Sequence, residues 1–376
     1  MGISSSSKYT TPVFKRHQPD DTYKFQPLPA PTGAYPYHLS LETVQPEINS
    51  QKLVFHMVGD TGGTRNPDMQ ALMAAAMAEQ YNELPEDQPK FLYHLGDIVY
   101  HHGEAENYEQ QFFTPYKCYP GPIFAIAGNH DTDINPANPV PYHSLDAFTT
   151  VFCDTEPRDI AFDTAKTRKS MVQPNVYWTL TSPLANIIGL HSNVPKYGVI
   201  TPEQKAWFIE ELINANEERP EKALIICIHH APYSADTNHG SSMQMIEFLE
   251  DIFTETGIKP DVVFSGHVHN YQRFRKIYAD GVVVPYIVAG GGGFDELNAL
   301  ALTDNPQYTG NNPLFDNVTL QSYCDDRHGF LKIAVEKTAD GLSLSGNYYV
   351  VTPEAVALTD SFSVKLAEYH LASSKQ

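Results

Sequence analysis

Phe91-Leu92-Tyr93-His94-Leu95-Gly96-Asp97-Ile98-Val99-Tyr100 is an apolar run that stops at a glycine and then presents a carboxylate, with a tyrosine three residues on. The run reads as a buried strand, and the carboxyl end of a central strand is where open α/β sheets build their sites. Alone, a strand followed by Gly-Asp is more often a turn. Its neighbours decide the matter. Upstream, Leu53-Val54-Phe55-His56-Met57-Val58 ends in Gly59-Asp60, and downstream, Pro122 to Ala127 ends in Gly128-Asn129-His130-Asp131. Between the runs lie helical stretches, one from Met69 to Gln80 with its start signalled by Asn66-Pro67, the other near Glu104 to Phe113. This is a β-α-β-α-β layout with Asp, Asp and Asn on one edge of one sheet, an arrangement that unrelated turns would not repeat three times.

Further out, Val176 to Leu180 and Asn186 to Leu190 read as strands of a second layer, followed by a capping box, Thr201-Pro202-Glu203-Gln204, and a helix to about Asn216. A second β-α-β series then places His229-His230 after the strand Ala223 to Ile228, and Gly266-His267-Val268-His269 after Asp261 to Ser265. Gly290 to Gly293 reads as a tight turn near the site, since no Lys-Ser or Lys-Thr follows to make a phosphate loop. Val282 to Val288, Phe330 to Val335 and Leu342 to Val350 supply further strands. Residues 1–50 read as a polar, proline-punctuated arm laid over the surface and carrying no catalytic group. Residues 51–350 form one domain with an irregular insertion at 132–175 able to wall the site, and 351–376 form a tail, disordered from about Ser373.

The 376 residues, 41% hydrophobic and 19% charged, suit a soluble globular enzyme. A formal charge of −20 argues against a nucleic acid polymer as partner and leaves room for a small phosphorylated substrate, because metal ions can supply local positive charge. No apolar run is long enough to span a bilayer. Met1-Gly2-Ile3-Ser4-Ser5-Ser6 lacks the apolar core of a secretory signal, so the expected location is cytoplasmic, with export by an unconventional route the alternative. The same start fits the loose myristoylation pattern, a match that a serine-rich start produces easily. Cys118, Cys153, Cys227 and Cys324 show no Cys-x-x-Cys spacing; reduced thiols are expected, with Cys118–Cys153 the one bridge considered.

Asp60, Asp97, Tyr100, Asn129, His229, His267 and His269 thus collect at strand ends. Oxygen donors mixed with imidazoles suit Fe, Zn or Mn better than Ca or Mg. That many donors imply two ions, and a shared carboxylate, for which Asp97 is central, would bring them to roughly 3.5–4 Å. The histidine after the fourth strand has two registers: matching the serine of His229-His230-Ala231-Pro232-Tyr233-Ser234 selects His229, matching its proline selects His230. His229 is the reading taken. His94 should lie on the opposite strand face, and His101 and His102 at the pocket rim.

These blocks, GDTG at 59–62, GDIVY at 96–100, GNHD at 128–131, ICIH at 226–229 and GHVH at 266–269, resemble in order the five of the calcineurin-like metallophosphoesterases. Within that superfamily the chain looks like the purple acid phosphatases, and Asn270-Tyr271-Gln272-Arg273 resembles that subgroup's continuation of the last block. The resemblance implies an α/β fold, a four-layer αββα sandwich of two mixed sheets flanked by helices. It assigns Asp60, Asp97, Tyr100 and His269 to a first metal, and Asp97, Asn129, His229 and His267 to a second. Tyr100, unless it is a packed aromatic, implies Fe3+ beside Fe2+, Zn2+ or Mn2+. The implied activity is phosphomonoester hydrolysis of acid phosphatase type, by hydroxide generated at the metals, with Asp97 bridging and His130 or His239 protonating the leaving group. Alternatives are a phosphodiesterase acting on nucleotides or phospholipid head groups, and a non-catalytic metal-binding protein. The Asp-Arg-Gly continuation of Ser/Thr protein phosphatases is absent after Asp97.

Overall fold

The computed structural model describes residues 14–15, 21–301 and 315–366; the expectations for Gly2 and for the end from Ser373 lie outside the described residues. In chain order the strands are β1 (Phe14–Lys15), β2 (His38–Ser40), β3 (Lys52–Val58), β4 (Leu92–His94), β5 (Ile123–Ala125), β6 (Trp178–Thr181), β7 (Ala185–Leu190), β8 (Ala223–Ile228), β9 (Ser241–Ser242), β10 (Val262–Ser265), β11 (Tyr271–Ile277), β12 (Val283–Ala289), β13 (Val318–Cys324), β14 (Gly329–Thr338), β15 (Gly341–Val351) and β16 (Val356–Lys365). One sheet runs β16-β15-β14-β3-β4-β5, the other β13-β11-β12-β10-β8-β7-β6-β2, and β1 pairs with β9 alone. Within them β3, β4 and β5 are parallel, as are β7, β8, β10 and β12, so all their carboxyl ends face the same way within each sheet.

The two sheets stack face to face. Leu53, Phe55 and Met57 alternate into the space between them and meet Ile225, Cys227, Phe264 and Ile287 of the other sheet. The opposite faces carry helices: Met73, Ala74 and Met77 from Pro67–Glu79 cover Leu92 and Ile123, while Trp207, Phe208, Leu212, Ile246 and Leu249 from Pro202–Glu217 and Met243–Thr256 cover Ile188, Leu224 and Ile226. Burial of each such side chain contributes about 1.5–3 kcal/mol, so the sandwich holds its strand ends rigidly. This is the four-layer αββα arrangement.

Two boundaries differ from the sequence reading. The domain does not stop at Val350: β16 pairs antiparallel with β15 from Ser343↔Lys365 to Val351↔Val356. It escaped notice because it is an edge strand with both faces largely exposed, so Asp360, Ser361 and Ser363 leave no apolar alternation to read. The arm is also built into the fold. His38–Ser40 extends the eight-stranded sheet beside β6, Trp207 Nε1 donates to Pro36 O at 2.7 Å, and Gln26 and Asn193 exchange two hydrogen bonds of 3.0 and 2.8 Å. Within 132–175 a helix, Asp146–Phe152, buries Phe148 and Phe152, and Arg168 donates to the carbonyls of Gly121 and Tyr116. All four cysteines are free thiols. No helix among the described residues is long and apolar enough to cross a membrane.

Candidate metal centre

Five strands, β3, β4, β5, β8 and β10, deliver the centre from their carboxyl ends. Three of the residues that follow them have left-handed backbones although none is glycine: Asp60 (φ 57°), Asp97 (φ 55°) and His267 (φ 69°). Such a conformation costs about 1–2 kcal/mol per residue. The surrounding loops hold it, since Asp60 N donates to Gly96 O at 2.9 Å and Thr61 N to Asp97 O at 3.1 Å. Close approach demands glycine beside them. A Cβ on Gly128 would lie 2.1 Å from Asp97 Oδ1, and one on Gly290, in the four-glycine turn, would lie 2.7 Å from Asp60 Oδ2.

The carboxylates of Asp60 and Asp97 are buried. Tyr100 Oη sits between them, 3.0 Å from Asp97 Oδ2 and 3.3 Å from Asp60 Oδ1, with His269 Nε2 at 3.4 Å. On the other side of Asp97, His229 Nε2 is 3.4 Å from its Oδ2 and 3.1 Å from Asn129 Oδ1, and His267 Nδ1 is 2.8 Å from the same Asn129 oxygen. Donor atoms of Asp60, Asp97 and His269 lie within 4.8 Å of one another, as do those of Asp97, His229 and His267, so Asp97 belongs to both groups. The seven residues expected at the site are therefore brought together, with Tyr100 in the cluster rather than packed elsewhere.

The chemistry of this donor set fits metal ions. His229 donates Nδ1–H to Leu95 O at 2.8 Å, which turns Nε2 inward toward Asp97, the orientation that metal-binding histidines adopt. Burial would lower the His229 pKa, but Asp97 and Asp60 hold it up at about 9. Burial, helped by Asp97, pushes the Asp60 carboxyl well up. The Asp97 carboxyl is instead drawn down, against its burial, by His229 and His130. Burial and neighbouring imidazoles push His267 and His269 well down, toward the neutral form that binds metal. Buried carboxylates faced by imidazoles and a phenol make a site that takes up positive charge.

Other expected residues are placed as follows. His230 turns away, its Nδ1 2.7 Å from Ser192 Oγ, with its ring 4.3 Å from that of His267. His130 donates Nδ1–H to His101 O at 2.7 Å, and its ring lies 4.4 Å from Tyr100. Asn298 Nδ2 donates to His239 Nδ1 at 2.7 Å, which directs the His239 Nε2 side toward the rings of His267 and His269, 4.7 and 4.9 Å away. His94 lies behind the centre: its Nδ1 accepts from Gly96 N, so Nε2–H donates to Thr61 Oγ1 at 2.8 Å, and burial lowers its pKa to about 3.

Several supports were not read from the sequence. Gln111 clamps Tyr100 by two 2.8 Å bonds to its backbone N and O. Asp131, part of the third block but given no role, accepts from the amides of Ile98, Val99 and Gly128 and so ties the second block to the third. Phe294 packs 4.1 Å from the Tyr100 ring and 4.3 Å from His269. Asp295 accepts from the amides of Thr64, Arg65 and Asn66, joining the glycine turn to the loop after Asp60. Only contacts made in the fold, across as many as 231 residues for Asp295, reveal these roles; the residue types alone carry no signal.

The family model for calcineurin-like phosphoesterases matches residues 53–271, the span that carries all five strand ends. Among curated proteins the chain is similar to purple acid phosphatase 1 of Ipomoea batatas, 32% identical over 155 residues covering 36% of this chain and 31% of that protein. It is also similar to Fe(3+)-Zn(2+) purple acid phosphatase 12 of Arabidopsis thaliana, 28% identical over 191 residues covering 46% of this chain and 37% of the relative. The matches thus span only about a third of these relatives' length, 31% and 37%. Among solved structures, the fold is similar to that of GAP50, the anchor in the inner membrane complex of Plasmodium (TM-score 0.55, 14% identity, 84% of this chain and 89% of that one). PhoD is similar too (TM-score 0.51, 16% identity, 91% of this chain and 72% of that one). With more than half the chain matched by one family model and the sandwich and strand-end cluster in place, the chain belongs to the calcineurin-like phosphoesterase family.

Proposed function

We propose that the chain is a phosphomonoesterase of acid phosphatase type that works with two metal ions. The observation that carries this reading is the sharing of Asp97 between two groups of buried donor atoms. Asp60, Tyr100 and His269 would complete one site, Asn129, His229 and His267 the other, with Fe3+ in the first and Fe2+, Zn2+ or Mn2+ in the second. Two such ions supply Lewis acidity and a nucleophile at neutral pH. The chain's own residues do the rest. His130 and His239 border a cavity of about 170 Å³ with Asn129 and His267, where a phosphate ester reaches the cluster. Held at Nδ1 by His101 O and Asn298 respectively, the two imidazoles keep Nε2 for the ester, and an Nε2–H, carried by His239 because its Nδ1 accepts and by His130 when its ring is protonated, is the group suited to donate to a departing alkoxide. Similarity to purple acid phosphatases supports the subgroup.

The test is metal content per chain of protein purified without chelator, followed by turnover of an aryl phosphate monoester and the matching diester. Two equivalents including iron, with faster monoester turnover, are expected. Faster diester turnover would replace the reading with a phosphodiesterase. Two metals without turnover of either would leave a metal-binding protein.

A further inference from the structure

The cavity in front of the centre has a second wall, built from the segment that the sequence assigned no role. Asp21 and Lys24 of that segment, Asp133 of the insertion and Lys196 of the loop after β7 line the cavity together with Asn129, His130, His239 and His267. The segment is fixed in place. Lys196 N donates to the Asp21 carboxylate at 3.1 Å, Thr22 Oγ1 and Tyr197 Oη are 2.8 Å apart, and Gln26 is paired with Asn193. This docking brings Lys24 and Lys196 to one wall.

Their charges are only partly balanced. The buried Asp21 carboxylate is turned to a backbone amide, and Lys24 Nζ stands 3.3 Å from Asp133 Oδ2, with both side chains partly exposed. Lys196 is exposed and meets no carboxylate within 4.0 Å among the described residues. In a chain with 25 Lys and Arg against 45 Asp and Glu, two lysines lining the same cavity as the candidate metal ligands Asn129 and His267 run against the general charge.

We propose that Lys24 and Lys196 form an anion subsite that holds a second phosphate of the substrate, so that the favoured class is a small bisphosphorylated molecule rather than a simple monoester. This rests on the phosphatase reading above. With one phosphate at the cluster, the other reaches across the cavity. Lys196 meets it directly, and Lys24 exchanges Asp133 for it, at small cost because an exposed ion pair is worth little. Two ammonium groups converging on one anion give charge-assisted hydrogen bonds. The preference should weaken as salt is raised, because the wall is open to solvent.

The test compares the full chain with the K24M/K196M variant in two ways. Calorimetry measures affinity for a simple monophosphonate and for a diphosphonate whose groups are joined by a three-carbon chain; neither is hydrolysed. Kinetics measures kcat/KM for a hexose monophosphate and the matching bisphosphate. We expect the wild type to prefer the doubly charged partner in both, and the variant to lose that preference by about 5- to 30-fold, chiefly through Kd and KM. Equal preference in variant and wild type, in calorimetry, overturns the subsite. If calorimetry gives the expected loss while neither the hexose phosphates nor the aryl phosphates are turned over, the subsite stands as an anion site and the hydrolase reading fails.

Discussion

Two carboxylate networks in this chain are built from similar parts and behave differently. At the edge of the two sheets, Asp360 of β16 receives Arg273 Nε at 2.8 Å, Arg273 Nη2 at 3.0 Å and Tyr271 Oη at 2.7 Å. A permanent cation settles that carboxylate, and Asp360 is held below the usual carboxylate range, against its burial, by Arg273 and Tyr271. At the strand ends, Asp60 and Asp97 meet a tyrosine and histidines, with neither Arg nor Lys in ion-pair distance among the described residues. The first network is complete in itself. The second has no such permanent cation among these contacts, and it sits on three residues with left-handed backbones, Asp60, Asp97 and His267.

The sharpest way to break this comparison is D97N. If Asp97 joins both donor groups, the variant should hold fewer than two metal ions per chain and lose at least about 1,000-fold in kcat. Retention of two ions and most activity would show that the groups are independent. Chelator treatment of the wild type should lower Tm and abolish turnover together, both recovering on readdition of metal, because a ligand that binds only the folded state stabilises it.

Next in size is H239N. Loss of a proton donor should reduce kcat by about 100-fold for alkyl phosphates and much less for an aryl phosphate, whose leaving group needs no proton. Metal content should not change. Equal losses for both leaving groups would make His239 a wall of the site rather than a donor.

A smaller effect is expected at the other network. D360N leaves the partly buried Arg273 without its counter-charge and should cost about 2 kcal/mol in chemical denaturation, between the values for exposed and buried pairs. Metal content should stay at the wild-type value. If D360N sheds metal, the two networks are coupled and the contrast between them fails.

What the sequence disclosed follows the same division. The candidate metal ligands were legible because they stand at the ends of apolar runs: Asp60, Asp97, Asn129 and His267 each follow a glycine that closes a buried strand, and His229 follows its strand directly. Arg273 was noticed as a family marker, but its partner was not, because Asp360 lies in an exposed strand without apolar alternation and was assigned to the tail. The arm was misjudged for a related reason. Its contribution is a three-residue edge strand, His38–Ser40, and a turn at Thr22–Lys24, both too short for periodicity to show. Supports such as Gln111, Asp295 and Asn298 act through contacts that exist only once the sandwich has closed.

The last prediction isolates what burial does to a histidine with no carboxylate nearby. His56 lies on β3 facing the helices, its Nδ1 3.1 Å from Tyr119 Oη and its Nε2 3.0 Å from Gln80 Oε1. Burial lowers its pKa from 6.5 to about 3, whereas His229, equally buried but beside Asp97 and Asp60, is held up at about 9. Between pH 6.5 and 3 the unfolded chain therefore binds a proton at His56 that the folded chain refuses. Stability from this group is fully present above pH 6.5 and falls as pH drops, by about 1.4 kcal/mol per unit once well below 6.5. H56Q removes the titration. Its stability deficit relative to wild type should be constant above pH 6.5 and shrink steadily between pH 6 and 4 in urea denaturation, while site histidines and carboxylates contribute equally to both curves. Parallel curves would mean that His56 accepts its proton in the fold, and that burial without a carboxylate does not by itself set the two kinds of histidine apart.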